Sequence, residues 1–170
     1  MNDSRTHILV GVVTGGSAPA VAEAAAAFAT QFGADLVCAN VDDSRVAVGR
    51  NTDGTVTSTP IDPDLPFEKT QVFDPALQAD IAAVLDPLSV NWSVRALAGG
   101  PGQELARLAE ELDAAMIVVG TRESGVRDKV EEFIDGSVAL HLAHRQHRPV
   151  VVIPLHPVID DADLPWNRRA

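Results

Sequence analysis

The chain has a single cysteine, Cys38, set inside an apolar run. No disulfide can form within it, so the sequence fits a reducing compartment, and Cys38 reads as a buried structural thiol rather than a nucleophile. Long hydrophobic runs are missing too. The uninterrupted apolar stretches are strand-sized, and the alanine-rich segment 20–29 carries Glu23, well short of the roughly 20 apolar residues of a membrane span. The opening MNDSRTHILVGVV has neither a basic lead nor a cleavage-site pattern, and a cytoplasmic protein is expected. Basic residues are in deficit, 13 against 24 acidic, giving a formal charge of −11. That balance disfavours a duplex nucleic-acid partner, whose affinity comes largely from phosphate neutralisation. Also missing are a Ser-His-Asp order, a nucleophile elbow, an HExxH helix and paired cysteines, so nothing identifies an acid–base pair with a task.

What is present is a regular alternation. The 170 residues suit one domain with a proper core. Residues 7–13 (HILVGVV) form a β-branched run of the kind covered on both faces. Thr14-Gly15-Gly16-Ser17 breaks it, with Ser17 placed to cap a helix, Pro19 in its first turn and Gly33 as its stop. Residues 34–41 (ADLVCANV) are the next strand, which completes a right-handed βαβ unit. Residues 42–74 lose periodicity and are punctuated by Gly49, Gly54, Pro60, Pro63 and Pro66; they read as a long acidic loop, a surface excursion or a lid. A helix is expected over 75–85, a strand over 90–98, and a glycine turn at 99–102 that opens another helix carrying Leu105, Leu108 and Leu112. A strand at 115–119, a helix at 136–145 and a short apolar strand at 149–154 complete the domain, 1–154, before a tail at 155–170. Strands alternating with helices predict an α/β fold, a doubly wound, Rossmann-like parallel sheet of about five strands.

Such a sheet binds ligands beyond its carboxyl ends, where strand order reverses. The glycine turns after the first and fourth strands become the site if those strands are neighbours. The loop 120–137 carries Arg122, Arg127 and Lys129 and runs into a helix start at Gly136-Ser137. Free backbone N–H groups and the helix dipole at such a start suit an anion, although an ordinary cap has the same sequence. The arginines suit phosphate and equally suit a solvated loop, while Glu123 beside a phosphate repels it unless paired. His141, His144 and His147 spread around a helix, so no metal site is expected; His144, Arg145, His147 and Arg148 read as cations in the last helical turn, favouring the helix C-terminus.

Taken in order, HILVGV, the Gly99-Gly100-Pro101 turn, AAMIVVGTR, Gly136-Ser137 and RPVVVIP resemble the universal stress protein family over residues 7–154. The resemblance implies strand order 3-2-1-4-5, homodimers paired through the last strand, here Val150, Val151, Val152 and Ile153, and in one branch a bound ATP or AMP, with Mg accompanying ATP. That branch's phosphate motif is Gly, two residues, Gly, nine residues, then Gly with Ser or Thr. Gly120 and Gly136-Ser137 match its ends. Glu123 stands at the second glycine, the interval to Gly136 is three residues longer than the motif's, and Gly125 takes the middle role only with shifted spacing. The branch's aspartate after the first strand is replaced, since this chain reads Val12-Val13-Thr14, and Val41 matches the position whose backbone reads adenine. The resemblance thus implies a nucleotide site at Val13, Thr14, Val41, Gly120, Arg122, Gly125, Arg127, Gly136 and Ser137, in a stress-response binding module with a degenerate phosphate loop rather than a fast enzyme. Two alternatives stand beside it: a dimeric interaction protein of the same fold without a nucleotide, and a slow ATP phosphohydrolase.

Overall fold

The chain runs β1 (His7–Gly11), α1 (Ala18–Phe32), β2 (Asp35–Asp42), β3 (Arg45–Arg50), β4 (Val56–Pro60), β5 (Lys69–Thr70) and α2 (Pro75–Leu85). It continues through β6 (Trp92–Ala98), α3 (Pro101–Glu111), β7 (Met116–Gly120), α4 (Val138–Arg145) and β8 (Val150–Ile153). These elements come from a computed structural model, which describes residues 5–62, 64, 67–121 and 138–155. Five strands form a parallel sheet in the order β6-β2-β1-β7-β8. Counting that sheet's own strands, this is the expected 3-2-1-4-5.

Strand β1 lacks alternation because both its sides are covered: Ile8, Leu9 and Val10 are wholly buried. Ile8, Val10, Leu36 and Cys38 pack toward α1 and α2. Leu9, Val37, Ala39 and Leu97 pack toward α3 and α4. Helix α1 contributes small side chains, Ala22, Ala25, Ala26 and Ala29, and therefore lies close on the sheet. It ends at Gly33, whose left-handed φ of 60° lets the chain turn into β2. Ser17 precedes α1 as expected but does not cap it; its side chain makes no capping hydrogen bond. Helix α2 is capped by a side chain, the Asp74 carboxylate accepting from Ala76 N–H at 2.8 Å. Burial pushes the Cys38 thiol up to about 12, as expected of a structural cysteine.

The expected loop at 42–74 is corrected. Within it β3, β4 and β5 form a second, antiparallel sheet. Its interior is polar: the buried Ser58 hydroxyl accepts from Arg45 Nε at 2.8 Å and Gln71 Nε2 at 2.6 Å, and Arg45 also donates to the Ser58 and Phe67 carbonyls. Val56 is the apolar anchor, buried in the cluster that also holds Leu97 and Leu108. The ribbon thus covers, beside α3, the part of the sheet that a helix pair alone leaves open. A second correction concerns Arg148. Helix α4 ends at Arg145, and the Arg148 side chain instead turns inward, donating to Ala114 O at 2.9 Å and to Glu110 at 2.7 Å. His147 likewise lies past the helix end.

Candidate functional site

Strands β1 and β7 are neighbours, with Gly11 level with Val119. The chain leaves β1 for α1 on one face of the sheet, whereas α4, which follows β7 in the chain, packs on the other. This is the reversal of connection that opens a crevice beyond the carboxyl ends, and it brings Val13, Thr14, Val41 and Gly120 to one edge. Val13 is 63 % exposed, Thr14 is exposed, and Val41 and Gly120 are half-buried. At Gly120 the floor is tight, because a Cβ there would lie 2.8 Å from Val21 Cγ2 and 2.9 Å from Leu155 Cδ1. Just beyond it Thr121 N–H donates to Ile153 O, and Thr121 Oγ1 accepts from Leu155 N–H, both at 2.9 Å. The exits of β7 and β8 are thereby fastened together. Arg122, Gly125, Arg127, Gly136 and Ser137, with Glu123 and Lys129, lie outside the described residues.

The centre of the edge is a fork between β1 and β2. In their parallel ladder Val12 N–H donates to Ala39 O at 2.9 Å. The next rung of a regular ladder would join Val41 N–H to Val12 C=O. That carbonyl instead accepts from Asn40 Nδ2 at 2.9 Å. Beyond this point β1 departs while β2 stays paired with β6 as far as Asp42, whose C=O accepts from Gly99 N–H at 3.0 Å. The Val41 N–H and C=O, which share the parity of Ala39 and so face β1, are left without a backbone or side-chain partner among the described residues. A donor and an acceptor side by side on a half-buried edge can hold a flat heterocycle by its rim.

Sequence reasoning missed two residues here. Asn40 is the lone polar residue within β2's central run, and that interruption is its signal. The other is Glu104 in the first turn of α3, only 6 % exposed, beneath the Gly99-Gly100 turn. Arg50 Nη2 of the ribbon lies 2.6 and 2.7 Å from its two oxygens, and Arg107 Nε donates at 3.2 Å. This ion cluster fixes the ribbon to the start of α3. The i,i+3 spacing of Glu104 and Arg107 was readable, whereas the Arg50 contact spans 54 positions. Among the described residues no three His, Cys, Asp or Glu side chains gather where they could hold a metal ion, and no helix is long and apolar enough to cross a membrane.

A family model described as the universal stress protein family matches residues 4–154. Among solved structures, the chain is similar to a universal stress protein in complex with cAMP, at 19 % identity and a TM-score of 0.61, over 89 % of this chain and 98 % of that one. A universal stress protein from Lactobacillus plantarum matches at 21 % identity and a TM-score of 0.56, over 89 % and 99 %. One from Archaeoglobus fulgidus in complex with dAMP matches at 18 % identity and a TM-score of 0.50, over 87 % and 97 %. No curated protein sequence matches the chain.

Proposed function

Because the chain belongs to the universal stress protein family, we propose that it is a stress-response module that binds an adenine nucleotide, AMP or ATP, in the crevice between β1 and β7. The observation that carries this reading is the fork, where Val41 offers an unpaired N–H and C=O along one edge. Adenine presents the matching rim, an acceptor at N1 and a donor at its exocyclic amine. The two solved relatives in complex with cAMP and dAMP support an adenine monophosphate as the minimal ligand. The phosphate end is assigned to Gly120 and to Arg122, Gly125, Arg127, Gly136 and Ser137 after it, residues outside the described set; Mg would accompany ATP. With no aspartate after β1, Val13 gives the sugar no charge-assisted bond, which lowers affinity below that of a site that has one. Calorimetric titration with AMP and with ATP tests the reading. A single saturable site per chain is expected, and no heat from either nucleotide at millimolar concentration would remove the ligand.

One observation favours a second reading, an interaction protein without a nucleotide: the exposed apolar Val13 stands where the ligand-binding branch has its carboxylate. The same titration separates the two. In both, we propose a homodimer through β8. Among the described residues that strand is an outer strand of the main sheet, it is apolar throughout at Val150, Val151, Val152 and Ile153, and Val152 is 44 % exposed. Unpaired apolar edges invite pairing. Sedimentation equilibrium is expected to give twice the chain mass, and Val152→Lys to give the monomer; a wild-type monomer at high concentration would contradict the pairing.

A further inference from the structure

We propose that Asn40 is a positioning residue: its side-chain amide holds the β1–β2 fork open and thereby determines which edge of a heterocycle the site accepts. The base-selecting half of this assignment rests on the nucleotide reading above; the fork does not.

Two neighbouring parallel strands continue their ladder unless something competes, because each unpaired half-buried N–H or C=O is costly. Here β1 and β2 run in register to Gly11 and Ala39, and the Val12 N–H still makes its rung. The competitor appears at the next step, where Asn40 Nδ2 occupies Val12 C=O at 2.9 Å in place of the Val41 N–H. On its other edge β2 is held straight by β6, with Asn40 level with Ala96 and Val41 with Leu97. The outcome is a rigid strand whose last β1-facing N–H and C=O are kept unpaired by a side chain of the preceding residue. Alanine or leucine at position 40 has no donor for Val12 C=O. Aspartate has the shape of asparagine but only acceptors, so it repels that carbonyl.

The consequence is base selection. Val41 N–H needs an acceptor and Val41 C=O needs a donor, the pattern adenine offers at N1 and N6. A 6-oxopurine offers the reverse, an N1–H and a carbonyl, and would leave both backbone groups unpaired. Sites built to hydrogen-bond one pattern reject its inverse strongly. AMP is therefore favoured over IMP through the fork rather than through any side chain that touches the base.

The test uses the full-length protein and its Asn40→Ala and Asn40→Asp variants, with amide hydrogen exchange of Val41 and calorimetry with AMP and IMP as readouts. In the ligand-free wild type, Val41 N–H should exchange as an open group. In Asn40→Ala it should gain protection, as the rung to Val12 closes, while AMP affinity falls about tenfold and the AMP-over-IMP preference collapses. Asn40→Asp, which fills the same space, should lose AMP affinity without gaining protection at Val41. A general loss of structure would lower both nucleotide affinities together and leave their ratio intact. Val41 already protected in the wild type, or an AMP-to-IMP ratio unchanged in Asn40→Ala, overturns the assignment. A wild type that binds neither nucleotide overturns the base-selecting half together with the nucleotide reading, and the exchange data then decide the fork by themselves.

Discussion

Glu104→Ala is expected to lower stability by about 2–3 kcal/mol, which for a chain of this size is a fall of roughly 5–10 °C in Tm. The carboxylate is buried, and it is the shared partner of Arg50 from the ribbon and Arg107 from its own helix. Breaking a buried pair by removing one member costs more than breaking a surface pair, because the other charges are stranded. The arginines here are not deeply buried, with 37 % and 31 % of their side chains exposed, and can turn to water. This places the loss below the upper range for fully buried pairs. Glu104→Gln keeps the volume and one acceptor oxygen, so it should lose less. Glu111→Ala removes an exposed carboxylate from the same Arg107 and should change stability by under about 0.5 kcal/mol. Urea unfolding of the three variants measures the series. A Glu104→Ala protein as stable as Glu111→Ala would show that the ribbon is held by apolar packing, with Val56 and Ala47 against the core, and not by the Glu104 ion pairs.

Gly102→Ala is the second large effect, and its sign is the informative part. At an ordinary helix position this change stabilises by about 0.5–1 kcal/mol. Here a Cβ on residue 102 would stand 2.8 Å from His141 Cβ and 3.2 Å from His141 Cγ. Helix α3 approaches α4 so closely that a methyl has no room, and the near atom is not the tip of a side chain that can swing aside. Helix α4 must shift, and with it the wholly buried Leu142. A loss of about 1–3 kcal/mol is expected, as for other overpacked contacts. His141→Ala should not rescue it, because the nearest offending atom is the Cβ that alanine retains. Full rescue by His141→Ala, seen in denaturant midpoints of the double variant, would contradict this geometry.

These two sites mark where the sequence became opaque. The parallel sheet was readable because its strands are covered on both faces: HILVG is apolar after its opening His7, MIVVG is apolar throughout, and each is closed by a glycine. The order of the strands followed from the family resemblance. The ribbon was not readable. Its strands are short, carry Gly49 and Pro60, and are organised by Ser58, which collects Arg45 and Gln71 from positions 13 residues away on either side. Local composition cannot announce such a partnership, and the burial alternation of β3 exposes Val46 and Val48 while Arg45 turns inward, the reverse of what residue type suggests. Arg148 was misplaced for a related reason: charge near a helix end reads as a dipole partner, while its carbonyl and carboxylate partners lie more than 30 positions earlier. Of the nine expected site residues, four lie among the described residues. Val13, Thr14, Val41 and Gly120 fall at one sheet edge because a parallel sheet puts every strand exit there. The unpaired state of Val41 was not legible, since it depends on a single amide contact across 28 residues.

The most direct test of the account maps AMP onto the backbone by amide chemical shifts. Saturable shifts are predicted at Val12, Thr14, Asn40, Val41, Gly120 and Thr121, with Val41 N–H moving downfield as it gains an acceptor. Arg5, Asp35 and Asn91, which line a hollow at the opposite, amino-terminal edge of the sheet, should stay unmoved. Shifts concentrated at that opposite edge, or none at millimolar AMP, would contradict the claim that the fork at the carboxyl edge is the nucleotide site.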